Sequence, residues 1–344
     1  MPGASANKAR PLLLARSCLL LALLAASGSI AALSISPAAA AGPGGQEAAP
    51  APPEVAVPSQ LAVGLRVMRL VDPSRTIRLA TGRREPRTLI TYVRYPALGP
   101  PSGIDVPNAP PARADGPFPL VVFGHGFAVT PALYARLLQS WARAGYVVVA
   151  PEFPLENAHA PGGPDESDLV NQPQDISFVI SSLLAQSNVG SGPLAGVIDP
   201  AHIAVAGQSD GAETALAVAD SRRFRDPRVG AAVILSGAEM SGVGGYGFAP
   251  GGPPLLAVQG TADTINEPRF TYAFFKAARR PKYLLRLLGA GHLPPYTREQ
   301  PQLAIVERVT ASFFDSYLKG SQLSLQTLVS LGSVPAVSAL VSEP

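Results

Sequence analysis

The sequence predicts an α/β architecture: a mostly parallel central sheet of about eight strands with helices on both faces. Two observations predict it. Apolar runs at residues 119–123, 146–150, 203–206, 231–235 and 255–258 are continuous instead of alternating, as expected of strands covered on both sides. Segments of helical period separate most of them, and regular strand–helix succession favours parallel pairing with crossover helices.

In chain order, residues 65–70, 76–80 and 88–95 read as opening strands, rich in β-branched and aromatic side chains and broken by Asp72-Pro73 and Gly82. Residues 98–117 form a proline-rich loop before the strand at 119–123. A helix is expected over 131–144, with Leu133, Leu137, Leu138 and Trp141 at helical spacing, Thr130 as N-cap and Gly145 as the stop. After the strand at 146–150 come a helix at 175–185, a strand at 203–206 and a helix at 211–219. Strands at 231–235 and 255–258, a helix at 269–278, a strand at 283–287 and a long helix at 302–318 complete the pattern. These elements make residues 59–320 one domain of catalytic size. The tail, 321–344, is apolar but interrupted by Gly332 and Pro335, and the pattern assigns it no role.

The N-terminus reads as an address. Lys8, Arg10 and Arg16 precede a Leu/Ala-rich run at residues 17–35, and small residues follow at 36–42. Positive flank, apolar middle and small-residue exit are the parts of a secretory signal, so residues 1–41 are expected to be cleaved and the protein exported. Residues 42–58, with Pro43, Pro50, Pro52, Pro53 and Pro58, read as an extended linker. No later run is long enough to span a bilayer, so no membrane span is expected after cleavage.

Composition narrows the chemistry. With 47% hydrophobic and 15% charged side chains, the 344 residues can build a large core. The net charge of +3 belongs to the leader; without it 24 basic side chains face 24 acidic ones. Nucleic-acid binding, which needs a basic surplus, is not expected. The one cysteine, Cys18, lies in the leader, which removes internal disulfides, thiolate metal sites and a cysteine nucleophile from the mature chain.

In doubly covered parallel sheets, chemistry gathers at the carboxyl ends of strands. The strand at 203–206 runs into Gly207-Gln208-Ser209-Asp210-Gly211 and on into an Ala-rich helix. This is the G-x-S-x-G turn in its required strand–turn–helix setting, and it lifts the Ser209 hydroxyl clear of the sheet. Side chains at 207 and 211 would collide with the neighbouring strand and helix. A serine hydroxyl needs a base. Of His125, His159, His202 and His292, only His292 leaves a strand at the carboxyl edge without another role. His202 lies at the opposite end of its strand, and His159 sits in a Pro/Gly-rich loop.

A carboxylate must then orient the imidazole. Asp263, in Gly260-Thr261-Ala262-Asp263, is preferred over Glu239 because its strand is nearer His292 in chain order. The backbone N–H of Asp210 and that of Phe127, in Gly124-His125-Gly126-Phe127, are the candidate oxyanion donors, with His125 bracing the loop. Two long loops, 156–172 and 237–253, are placed to shape a pocket.

Together, Gly124-His125-Gly126-Phe127, the 207–211 turn, Gly260-Thr261-Ala262-Asp263 and Gly291-His292 resemble the α/β-hydrolase superfamily over about residues 60–320. The pattern is most similar to secreted esterases grouped with dienelactone hydrolases, platelet-activating-factor acetylhydrolases and cutinase-like polyester hydrolases. The resemblance implies Ser209 as nucleophile, Asp263 as acid, His292 as base, and Phe127 and Asp210 at the oxyanion hole, with the Phe127 ring flanking substrate. This chain departs from it in using serine where dienelactone hydrolases use cysteine, in placing Ala212 after Gly211, and in the acidic side chain of Asp210.

The expectation is a secreted serine hydrolase that cleaves carboxylic esters of small molecules, lipids or polymers through an acyl-enzyme, without metal or organic cofactor. An amidase or peptidase using the same residues, or a hydrolase-like binding protein, are the competing readings.

Overall fold

A computed structural model describes residues 61–79 and 81–344. The expected signal segment and linker lie outside the described residues. Seven helices and ten strands are built from the described chain, and the strands form one sheet in the order β10-β9-β8-β7-β6-β4-β5-β2-β1-β3. The centre, from β5 (Val147–Glu152) and β4 (Phe118–Gly124) through β6 (Ile198–Gln208), β7 (Val229–Leu235) and β8 (Leu255–Gly260) to β9 (Lys282–Leu287), is parallel throughout.

The continuous apolar strands follow from this placement. In β4, Leu120 and Val122 join one core while Val121 and Phe123 join the other, because successive side chains point to opposite faces. The first core packs under α2 (Gln172–Ser187), α3 (Asp210–Asp220) and α4 (Pro268–Ala277), with Ile176, Val179, Leu216 and Phe274 at its centre. The second packs under α1 (Ala135–Arg143) and α6 (Gln302–Leu318), through Leu137, Trp141, Val306, Val309, Phe313 and Phe314. Trp141 Nε1–H donates to Thr310 Oγ1 at 2.7 Å, which gives the buried indole its partner.

The sheet has ten strands where about eight were expected, and both ends explain why. At one edge, β1 (Ala62–Arg78) and β2 (Arg84–Ala97) form a long antiparallel hairpin, and β2 pairs antiparallel with β5. Asp72-Pro73, which reads as a strand break, is instead a bulge between Asp72 and Thr76. The Asp72 carboxylate accepts from Ser74 N–H at 2.9 Å and Arg75 Nε at 2.6 Å, so the unpaired residues are satisfied locally. A short β3 (Val106–Pro107), inside the proline-rich loop, adds beside β1.

At the other edge the tail folds as α7 (Gln322–Gly332) and β10 (Ser338–Glu343). Ser321 caps α7 by accepting from Ser324 N–H, and β10 lies antiparallel on β9 with Ser338 opposite Leu287. Gly332 and Pro335 do interrupt the tail, but between two elements. A Cβ on Gly332 would meet the Leu340 side chain at 2.7 Å, so the glycine lets α7 end against β10.

The helix expected over 131–144 begins as a 3-10 turn, Pro131–Tyr134, and becomes α-helical only at Ala135; the Thr130 side chain makes no capping hydrogen bond. Gly145 ends this segment with φ of +91°. No helix among the described residues is long and apolar enough to cross a membrane.

Candidate active site

Ser209 stands alone between β6 and α3 with φ 56° and ψ −125°. A left-handed serine costs of order 1–3 kcal/mol and persists only where its surroundings hold it. Here its N–H donates to Leu235 O at 3.0 Å, while its carbonyl accepts from Ala212 N–H at 2.8 Å and Glu213 N–H at 3.0 Å. The flanking glycines are steric necessities. A Cβ on Gly207 would lie 2.0 Å from Gly211 O, and one on Gly211 would lie 2.1 Å from Gly124 O. Strand β4, the turn and α3 thus touch main chain to main chain. Gly207→Ala is expected to abolish the native turn: soluble yield and activity fall together, because backbone cannot yield as a rotamer can. Wild-type melting temperature and activity in the purified variant would contradict this.

His292 lies on the loop after β9 and Asp263 on the loop after β8. Thr261 N–H donates to Leu287 O, Ala262 N–H to Ala290 O, and Gly289 N–H to Thr261 Oγ1, at 2.9, 2.9 and 2.8 Å. These bonds lace the two loops together. Gly260 permits the approach, since a Cβ there would meet Ala290 O at 2.5 Å.

The structure brings Ser209, His292 and Asp263 into one chain. Ser209 Oγ is 2.9 Å from His292 Nε2, and His292 Nδ1 is 2.8 Å from Asp263 Oδ2. The other Asp263 oxygen accepts from Ile265 and Asn266 N–H at 2.9 and 3.0 Å, and Gln259 Nε2 adds a bond to Oδ2 at 3.3 Å. A carboxylate so held can only accept, so Nδ1 carries the hydrogen and Nε2 presents its lone pair to the serine hydroxyl. Ser209, His292 and Asp263 are 8%, 9% and 3% exposed, so these contacts act largely out of water.

The alternatives considered from sequence sit elsewhere. Glu239 is exposed, and Asp263 holds His292 Nδ1. His202 is exposed and pairs with Asp199 at 2.6 Å, and His159 is exposed in its loop. His125 is fully buried: Nε2 accepts from Phe153 N–H at 3.0 Å, so Nδ1 donates to Gly126 O at 2.8 Å. Burial lowers its pKa to about 4, which leaves a neutral brace for the Gly124–Phe127 loop. Gly124 and Gly126 serve close approach, not a left-handed turn; the positive φ in this loop, 56°, belongs to Ala128. Phe127 is half-buried, and among the described residues its N–H has no internal acceptor.

Sequence reasoning passed over Gln208, the second letter of the turn. Its Oε1 accepts from Tyr134 Oη–H at 2.7 Å, and its Nε2 donates to His292 O at 3.1 Å while lying 3.3 Å from His292 Nε2. Tyr134 Oη in turn accepts from Gly126 N–H at 3.4 Å. One amide thereby ties the Gly126 loop to the His292 loop behind the serine. Adjacency to Ser209 was the available signal. Among the described residues, no group of three or more His, Cys, Asp and Glu is placed to hold a metal.

This is the α/β-hydrolase fold, with its serine turn at the carboxyl edge of the sheet. The family model described as Chlorophyllase matches residues 98–231, which include the Phe127 loop and the Ser209 turn and end before Asp263 and His292. Among solved structures, the ferulic acid esterase from Streptomyces cinnamoneus superposes with a TM-score of 0.56 at 23% identity, covering 78% of this chain and 94% of that one. No curated protein sequence matches the chain.

Proposed function

We propose that this protein is an exported serine hydrolase that cleaves carboxylic esters. The observation that carries the reading is the continuous Ser209–His292–Asp263 contact, 2.9 and 2.8 Å, on a strained turn at the carboxyl edge of the sheet. The Chlorophyllase description of the matched family model and the ferulic acid esterase among the structural neighbours support ester cleavage over amide cleavage. The basic, apolar and small-residue succession of the first forty-one residues supports export.

In this reading His292 Nε2 takes the Ser209 proton as Oγ attacks the ester carbonyl. The Phe127 and Asp210 main-chain N–H groups receive the oxyanion, and Asp263 stabilises the imidazolium. The imidazolium then protonates the departing alkoxide. Water, deprotonated by the same imidazole, attacks the acyl-serine and frees the acid. The substrate is an ester of a small molecule, lipid or polymer.

The test is a fluorophosphonate probe together with matched p-nitrophenyl esters and p-nitroanilides. Labelling at Ser209 and turnover of esters well above anilides are expected. An unlabelled Ser209 in folded protein would defeat the serine mechanism, and faster anilide turnover would make it an amidase. N-terminal sequencing of the exported protein, beginning near residue 40, checks the leader.

A further inference from the structure

One fully buried acid on the loop after β5 takes no part in the mechanism above. Glu156 follows β5 at the start of the loop 156–172 and is fully buried. Its main chain is fixed: Glu156 O accepts from Ala128 N–H at 3.0 Å, which joins it to the turn after Phe127. Its carboxyl is different. Neither oxygen receives a hydrogen from an ordinary N–H or O–H donor among the described residues. What it faces is the carboxyl of Asp210, the residue after Ser209, close enough for the two to interact directly.

A fully buried carboxyl that no donor reaches, set against a second carboxyl, cannot keep both groups ionised, since two carboxylates only accept; contact between them takes a proton on one. The surroundings say which. Besides Asp210 on α3, the charged groups that act most on Glu156 are Asp168 and Glu166, on the 3-10 segment Glu166–Asn171. Asp168 is itself committed to Arg87 at 2.7 and 2.9 Å, and the phenol of Tyr134, which feels the Asp210 charge, donates to Gln208 Oε1 at 2.7 Å. Burial first, then these acids, push Glu156 well above the ordinary carboxylate range.

We infer that Glu156 and Asp210 form an acid–carboxylate pair sharing one proton, in which Glu156 is a positioning residue that anchors the Asp210 side chain and keeps the pair at one negative charge beside the Asp210 N–H. The inference deepens the proposed function, because that N–H is there assigned to the oxyanion. A charge developing on the substrate oxygen would be opposed by a second negative charge close by in a water-poor site. The pair keeps that second charge away until the shared proton is lost. Activity therefore has an alkaline limb set by this pair.

Stability carries the same signature. A carboxyl whose folded pKa is raised binds a proton that the unfolded chain has released. Stability therefore falls as pH rises from the ordinary glutamate value, 4.5, towards the raised one. Glu156→Gln replaces the shared proton with a permanent N–H donor to Asp210 and cannot ionise.

The experiment measures melting temperature and kcat/KM for a neutral chromogenic ester across pH, on the full chain and on Glu156→Gln and Glu156→Leu. Glu156→Gln is expected to melt above wild type by a margin that widens with pH, and to lose the alkaline fall in kcat/KM. Glu156→Leu, which offers Asp210 no donor, is expected to lower kcat more than it raises KM. Superimposable pH dependences of wild type and Glu156→Gln, in melting and in rate, overturn the inference. Should Glu156→Gln not fold, infrared spectra of wild type with isotope-labelled glutamate decide. A protonated carboxyl band at neutral pH supports the pair, and its absence refutes it. Wild type that turns over no ester refutes the proposed function instead, and leaves the melting and infrared readouts to judge the pair alone.

Discussion

Ser209→Ala is expected to lower kcat for ester hydrolysis by about 10⁶-fold, on the order of 8 kcal/mol of transition-state stabilisation, while leaving the fold intact. The size follows from the role. The hydroxyl is the atom that bonds to the acyl carbon, so no other group compensates. The fold should survive because the turn is held by main-chain bonds to Leu235, Ala212 and Glu213, none of which uses the side chain. His292→Ala should cost about as much, and the double variant little more, since the pair works as a unit. Asp263→Asn should cost about 10⁴-fold, because an amide can present its N–H to His292 Nδ1 and favour the wrong tautomer. Steady-state kinetics with a p-nitrophenyl ester, alongside circular dichroism of each variant, checks these expectations. Ser209→Ala with substantial turnover would end the serine reading.

The largest expected effect on stability lies away from the chemistry. Arg87, 2% exposed on β2, donates to Asp175 Oδ1 and Oδ2 at 2.6 Å each and to Asp168 at 2.9 and 2.7 Å. Arg75, from the β1 bulge, adds a bond to Asp175 at 2.7 Å and ties Asp72 into the network. One guanidinium thus joins the edge hairpin to α2 and to the 3-10 segment of the loop 156–172. Arg87→Met would leave Asp175 with the partly exposed Arg75 and Asp168 with only the neutral Asn171 amide. Removing one side of a buried ion pair costs about 3–5 kcal/mol, which lowers the melting temperature by roughly 6–15 °C in a domain of this size. The deficit should narrow as pH falls. Burial already raises Asp175, and without Arg87 it can shed its charge by binding a proton that the unfolded chain binds only at lower pH. Thermal melts at neutral and mildly acidic pH test both the size and the direction.

The central sheet was legible because each of its strands is covered twice, and double coverage writes itself as an unbroken apolar run. The serine turn was legible because backbone crowding at 207 and 211 admits only glycine, a constraint visible in the letters. The edges were not. Asp72-Pro73 has the composition of a break and the geometry of a bulge, and the difference depends on Ser74 and Arg75 closing onto Asp72. The tail carries Gly332 and Pro335, whose meaning changes once β9 offers an edge to pair with. Gln208 and Glu156 escaped for a different reason. Their importance lies in which distant polar groups they meet in the interior, and no local pattern encodes a partner 84 residues away, as His292 is from Gln208. Asp210, by contrast, drew notice as an acid next to the nucleophile, and only its pairing with Glu156 was hidden.

The contact of Gly207, Gly211 and Gly124 has a consequence for how such a protein can diversify. Because β4, the serine turn and α3 meet through atoms that every residue shares, the seat of the hydroxyl does not depend on the identity of surrounding side chains. Exposed residues of the 237–253 segment, unlike its buried Met240 and Val243, can therefore be exchanged while the Ser209 oxygen stays in register. A laboratory library confined to those exposed positions varies the surface of the protein without touching the serine turn.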